Sequence, residues 1–138
     1  MKVLFDTNVI LDFLLERRSR MSLAEELFEL VREEKIEAFV TANCITDIHY
    51  IVGRKLGDEP ARDAVRHSLK MFNVVAVDGK DCAEALDLPV LDYEDALALA
   101  CSKKENISFV VTNDADFIRS SSVAPIRIVS PNDFLALV

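Results

Sequence analysis

Four aspartates stand where this chain could do chemistry. Asp6 closes the apolar run Lys2-Val3-Leu4-Phe5, and Asp114 follows Phe109-Val110-Val111-Thr112 through Asn113. Asp47 and Asp95 instead fall inside stretches with helical apolar spacing. Carboxylate oxygens are hard donors suited to divalent cations such as Mg²⁺ or Mn²⁺, which keep several waters and take up a substrate phosphate rather than fill a closed protein cage. Two such ions about 3.5 to 4 Å apart can activate a water, hold a scissile phosphate and stabilise the departing oxygen, so no side-chain nucleophile is required. Other chemistries lack their residues. The only glycines are Gly53, Gly57 and Gly79, which leaves no nucleophile elbow, Walker loop or dinucleotide fingerprint.

The elements that must position these acids follow from periodicity. Lys2 to Phe5 reads as a strand and Val9 to Leu15 as a helix behind the capping candidates Asp6, Thr7 and Asn8. Ala24, Leu27, Phe28 and Val31 mark an amphipathic helix over Met21 to Arg32, and Ile36 to Val40 a second strand. Cys44 to Leu56 and Pro60 to Met71 are helices parted by Gly57-Asp58-Glu59. Asn73 to Val77 is a strand closed by the turn signal Asp78-Gly79, and Lys80 to Leu88 a short helix ended by Pro89. Tyr93 to Lys104 is a nearly all-apolar helix, Ser108 to Thr112 and Ile126 to Val129 are strands, and Asp116 to Arg119 and Pro131 to Leu137 are short helical pieces. Strands alternating with helices predict an α/β fold with a mostly parallel sheet covered on both faces. In such a sheet, ligands sit beyond the carboxyl ends of the strands, which is where Asp6 and Asp114 fall.

Each acid also has a plainer reading. Asp6 and Asp114 would serve as helix caps, and Asp92 and Asp95 would make the N-cap and N3 positions of a capping box. Asp47 lies at the edge of the apolar arc formed by Cys44, Ile45, Ile48, Ile51 and Val52; a half-buried carboxylate there needs a cation or donors. Asp95 stacks with Leu99 and Ser102 against protein, so it can be cap and ligand together. His49, near the opposite edge of the arc from Asp47, reads as a rim or packing residue, and Tyr93 and Glu94 as packing and surface residues. Arg17, Arg18 and Arg20 form the one dense basic patch: either a solvated loop or a rim that guides phosphate.

Composition sets the outer limits. At 138 residues and 51% hydrophobic content, one domain over residues 1–138 is expected. The longest apolar runs are only a few residues and Asp6 interrupts the first, so no signal-peptide core or membrane span is read and a cytoplasmic location is the default. Cys44, Cys82 and Cys101 are odd in number, widely spaced and set among apolar neighbours, which reads as buried reduced thiols. The net charge of -8 argues against a coat of positive charge for nonspecific nucleic-acid binding, but an enzyme that gathers carboxylates for cations looks acidic by count.

With these residues in order the chain resembles the PIN-domain family, from Met1 to about Phe134. The resemblance is carried by Val3-Leu4-Phe5-Asp6-Thr7-Asn8, Thr46-Asp47-Ile48-His49-Tyr50, Asp92-Tyr93-Glu94-Asp95-Ala96-Leu97 and Val111-Thr112-Asn113-Asp114-Ala115-Asp116-Phe117. It implies a three-layer α/β/α sandwich around a central parallel sheet of about five strands, with an acidic pocket binding Mg²⁺ or Mn²⁺. Asp6 would be the central ligand, Asp47, Asp95 and Asp114 the further acids, with Asn8 and Thr112 orienting them; Asp116 competes with Asp114 for the last position. The implied activity is ribonuclease, on single-stranded RNA. Members of this length are often toxins of the VapC type, held by a small antitoxin whose tail covers the pocket, and a homodimer is the expected assembly; others work in RNA processing. One departure is Asp47, where many relatives carry Glu.

Rival folds fail on named positions. A receiver domain needs an acidic pair after the first strand and a lysine after the last, where this chain has Asp6-Thr7 and Ser130-Pro131. A haloacid-dehalogenase-like phosphatase needs an acid at position 8, which is Asn8. The remaining alternative is a non-catalytic PIN-fold binding or scaffolding module that keeps its acids for structure or for metal alone.

Overall fold

The computed structural model describes residues 1–17, 21–120 and 125–138. Five strands form one sheet: β1 (Lys2–Phe5), β2 (Glu37–Thr41), β3 (Asn73–Val75), β4 (Phe109–Val111) and β5 (Arg127–Val129), in the order β3-β2-β1-β4-β5. Every pairing is parallel, as strands joined through helices require. The helices are α1 (Thr7–Leu14), α2 (Met21–Arg32), α3 (Ala42–Leu56), α4 (Asp58–Met71), α5 (Gly79–Ala85), α6 (Tyr93–Lys104), α7 (Ala115–Ser120) and α8 (Pro131–Leu137).

Strand alternation divides the core between two faces. Val3, Phe5, Ala38, Val40 and Val111 point to one side, where they pack with apolar residues of α1, α2, α3, α4 and α8. Leu4, Phe39 and Val110 point to the other, against Leu99 and Cys101 of α6 and Phe117 of α7. The result is the α/β/α sandwich. The first side is tied by phenyl rings: Phe5, Phe28 and Phe72 meet pairwise with centroids 5.7 to 5.9 Å apart, within the range of favourable edge and tilted contacts.

Helix α6 is apolar on nearly all sides because two layers bury it. Leu99 and Cys101 face the sheet while Ala96, Leu97 and Ala100 pack with Ala85 of α5. The interface is fixed at its far end by Lys104, whose Nζ donates to the Ala76 carbonyl and to Asp81 Oδ2, both at 2.6 Å. Strand β3 is shorter than the expected Asn73 to Val77, because the chain leaves the sheet to form the N-terminus of α5. There Asp78 and Asp81 make a reciprocal capping box, which the Asp78-Gly79 turn signal concealed.

Candidate active site

Strand β1 is followed in the sheet by β2 on one side and β4 on the other, so the loops after β1 and β4 diverge and open a crevice at this topological switch point. Phe5 pairs with Val111, and the Asp6 N–H donates to the Val111 carbonyl at 3.0 Å. That register sets the Asp6 side chain beside Thr112. Asp6 accepts from the Thr112 hydroxyl at 2.7 Å, from the Thr7 N–H at 2.8 Å and from Asn8 Nδ2 at 3.2 Å. Thr112 is fully buried, and its oxygen also accepts the Asp114 N–H at 3.0 Å. Asp114 caps α7 through Oδ1, which takes the N–H groups of Asp116 at 2.9 Å and Phe117 at 3.4 Å.

The opposite wall comes from α3 and α6. A cleft of about 500 Å³ is bounded by Asp6, Asp47, Asp92, Glu94, Asp95 and Asp114, with Thr7, Asn8, Leu11, Ile51 and Arg17 completing its lining. Asp92 is the N-cap of α6, accepting the Asp95 N–H at 3.1 Å, so Asp95 enters the cleft from the first turn of a fixed helix. Carboxylates this close repel one another. Asp95 is pushed up to about 7 by burial first, then by the charges of Asp6, Asp92, Asp114 and Glu94. Glu94 also rises to about 7, chiefly because its carboxyl shares a hydrogen bond with Asp47 and is partly buried, with Asp47, Asp6 and Asp92 adding their repulsion. For Asp6, burial raises the proton affinity above the ordinary aspartate value against the pull of its donors Thr112, Thr7 and Asn8. Below the wall, Cys44 receives the Thr7 hydroxyl at 3.1 Å, and burial pushes its thiol up to about 12, which keeps it protonated at neutral pH.

The four sequence-selected aspartates, Asp6, Asp47, Asp95 and Asp114, therefore line one cleft, and Asn8 and Thr112 touch Asp6 as orienting neighbours. Asp116 does not line that cleft: it is exposed, forms an ion pair with Arg119 and borders an adjoining cavity of about 660 Å³ that Asp92, Asp95 and Asp114 line as well. His49 is not part of the cleft lining; its Nε2 lies 3.8 Å from Asp58 Oδ1. Arg17 lines the cleft, while Arg18 and Arg20 lie outside the described residues. Of the cysteines expected to be buried, Cys44 and Cys101 are, but Cys82 is exposed; all three are free thiols.

Two acids escaped the sequence reading. Glu94 is a surface residue as read, but it also lines the cleft and lies against Asp47. Asp12, only 1% exposed on α1, bonds to Arg17 and Asn113 behind the cleft wall. Its signal was an acid inside the otherwise apolar run Val9 to Leu15.

The donor set suits a hard divalent cation: all oxygen, and crowded enough that positive charge would relieve it. Among the described residues no three acidic, histidine or cysteine side chains stand together in an arrangement that could hold a metal ion.

An all-parallel α/β/α sandwich with an acid-lined crevice at the β1/β4 switch point defines the class of protein. The model of the PIN domain matches residues 2–116. The chain belongs to the PIN domain family. Ribonuclease VapC1 of Aquifex aeolicus (strain VF5) is 23% identical over 121 residues, spanning 84% of this chain and 83% of that protein. Among solved structures, the sarcin-ricin loop cleaving toxin VapC20 of Mycobacterium tuberculosis superposes with a TM-score of 0.68 at 16% identity, covering 83% of this chain and 92% of its own. A toxin-antitoxin complex from Klebsiella pneumoniae contains a chain that superposes with a TM-score of 0.68 at 18% identity, covering 94% of this chain and 97% of its own.

Proposed function

We propose that this protein is a divalent-metal-dependent endoribonuclease that hydrolyses phosphodiester bonds of single-stranded RNA, acting as the toxin of a toxin-antitoxin pair. The observation that carries the reading is the meeting of Asp6, Asp47, Asp95 and Asp114 in one cleft of a PIN fold. These four would hold Mg²⁺ or Mn²⁺, with Asp114 rather than the ion-paired Asp116 as the fourth ligand. Bound there, the cation supplies positive charge to the phosphate and acidity to a water. The chain's own part is positioning. Thr112, Asn8 and the Thr7 N–H fix both oxygens of Asp6, while the first turn of α7 fixes Asp114. Arg17, Arg18 and Arg20 would guide the phosphate backbone towards the cleft.

RNA as substrate draws support from the names of the Aquifex aeolicus and Mycobacterium tuberculosis relatives, and a small antitoxin as partner from the Klebsiella pneumoniae complex. One nuclease domain over residues 1–138, assembling as a homodimer in the cytoplasm, completes the proposal. No described helix is long and apolar enough to cross a membrane.

The test is cleavage of single-stranded RNA by the purified protein in Mn²⁺ or Mg²⁺, with chelator as control. Asp6→Asn and Asp114→Asn are expected to lower the rate by about 100-fold or more while circular dichroism shows a folded chain. Near-normal rates in both variants would remove the acids from the mechanism. A wild-type protein that binds Mn²⁺ yet cuts no RNA would instead be a binding or scaffolding module.

A further inference from the structure

Helix α1 carries one acid inside its apolar run. Asp12 is 1% exposed, so its charge needs partners within the protein. Asn113 Nδ2 donates to its Oδ2 at 2.6 Å, and Arg17 Nη1 approaches its Oδ1 at 3.4 Å. The main chain repeats the second link. α1 ends in a Schellman motif, in which the Arg17 N–H donates to the Asp12 carbonyl at 2.9 Å and the Glu16 N–H to the Phe13 carbonyl at 3.2 Å, with Glu16 at φ 50°. Arg17 is thus held over Asp12 by its backbone and by its side chain.

The same carboxylate is tied to the centre of the cleft. Asn113, bonded to Asp12 through its side chain, donates its backbone N–H to Asn8 Oδ1 at 3.2 Å, and Asn8 Nδ2 donates to Asp6 Oδ2 at 3.2 Å. One hydrogen-bonded frame therefore contains Arg17, Asp12, Asn113, Asn8 and Asp6. Within it, Arg17 is the single cation among the described residues that line the cleft, and its side chain is 36% exposed there. A guanidinium offers five N–H donors in a planar fork that matches two phosphate oxygens, and the one long contact to Asp12 leaves most of them to a ligand.

We propose that Arg17 binds a phosphate of the nucleic-acid strand lying in the cleft, and that buried Asp12 is the positioning residue that aims it. The proposal rests on the nuclease reading for its ligand. A phosphodiester entering this cleft meets six acids, and a guanidinium fixed on the wall offsets that repulsion at a set distance from Asp6. Asp12 itself touches no substrate; it acts by restricting Arg17.

A double-mutant cycle read by RNA binding tests this, using a fluorescent single-stranded oligonucleotide and anisotropy in Ca²⁺, alongside KM and kcat in Mn²⁺. Arg17→Gln is expected to weaken binding about tenfold and to flatten the slope of log affinity against log salt by about 0.7, the value for one phosphate contact on a single strand. KM should rise by a similar factor with kcat changed less than about twofold. Asp12→Asn keeps the volume and an oxygen for Asn113 but loses the ion pair, so it should weaken binding in the same sense, and add nothing in the Arg17→Gln background. If Asp12→Asn does not fold, Asn113→Ala removes the other anchor of Asp12 and enters the same cycle. An unchanged salt slope in Arg17→Gln, or a position-12 effect that persists in full without Arg17, overturns the proposal. Wild-type protein that binds RNA but cuts none overturns the nuclease reading alone, because the binding cycle still decides Arg17. Absence of RNA binding overturns both.

Discussion

Asp6 and Asp95 share a cleft but are held differently, and this separates what their replacement should do. Asp6 accepts three hydrogen bonds, so Asp6→Asn turns one acceptor into a donor facing Thr112, Asn8 or the Thr7 N–H, at a cost of about 1 to 2 kcal/mol in stability. Asp95 is strained by its surroundings, with burial and neighbouring acids raising its proton affinity. A raised carboxyl favours the folded state while protonated: relative to the unfolded chain, that advantage is complete below the ordinary value of 3.8 and is lost as pH rises through about 7. At pH 7.5 in chelator, Asp95→Asn should therefore melt at or above the wild-type temperature, and it should gain far less from added Mn²⁺. Thermal melts with and without metal check this. A variant that is destabilised in chelator yet keeps the full metal shift would make Asp95 a packing residue of α6.

The elements are fastened by contacts that local sequence only partly announces. Schellman turns close α1, α2 and α6, with Glu16, Glu34 and Asn106 at positive φ. The usual glycine is missing from all three sites, so the helix ends had to be inferred from the loss of apolar spacing. Asp81 does more than cap α5, because it is also the buried partner of Lys104 at the end of α6. The Lys104 hydrogen bond first, then the Asp78 N–H, hold its carboxyl below the ordinary 3.8. A depressed folded value means that this stabilisation is present above the unfolded value and is lost as pH falls through the lower, folded one. Asp81→Asn should cost on the order of 2 kcal/mol at pH 7, with the deficit shrinking once the medium is acid enough to protonate the wild-type group. Denaturant titrations of both proteins from neutral pH down to strong acid measure it, and a deficit independent of pH would deny the ion pair its role.

For the whole molecule, the net charge of -8 and the acid-filled switch point have one consequence. A cation that binds the folded cleft and not the unfolded chain stabilises the protein by mass action, about 2.7 kcal/mol at one hundred times its dissociation constant. In a chain of this size that corresponds to a rise in Tm of roughly 8 to 10 °C. Chelator should reverse it, and Asp47→Asn or Asp114→Asn should reduce it. Scanning calorimetry over a Mn²⁺ series tests the point; a Tm indifferent to Mn²⁺ at millimolar concentration would leave the carboxylates as structural caps.

The sequence by itself determined the alternation of strands and helices, the strand ends at Asp6 and Thr112, and the half-buried settings of Asp47 and Asp95. Those properties follow from local periodicity: alternate residues face opposite sides of a strand, and helical spacing repeats every few positions. Tertiary structure alone decided that β4 lies beside β1, which brings Thr112 within 2.7 Å of Asp6 across 106 positions of chain. It also decided that Asp114 lines both the cleft and the adjoining cavity while Asp116 borders the cavity alone, and that Glu94, though exposed, lies against Asp47. A helix's rotation about its own axis is set by every layer it packs against, and for α6 both faces are apolar, so the pattern within the helix could not say which way its first turn would point. Asp12 shows the same limit. An acid in an apolar helix is visible in the sequence, but whether it meets water or a partner depends on Asn113, which reaches it from a loop 101 positions away.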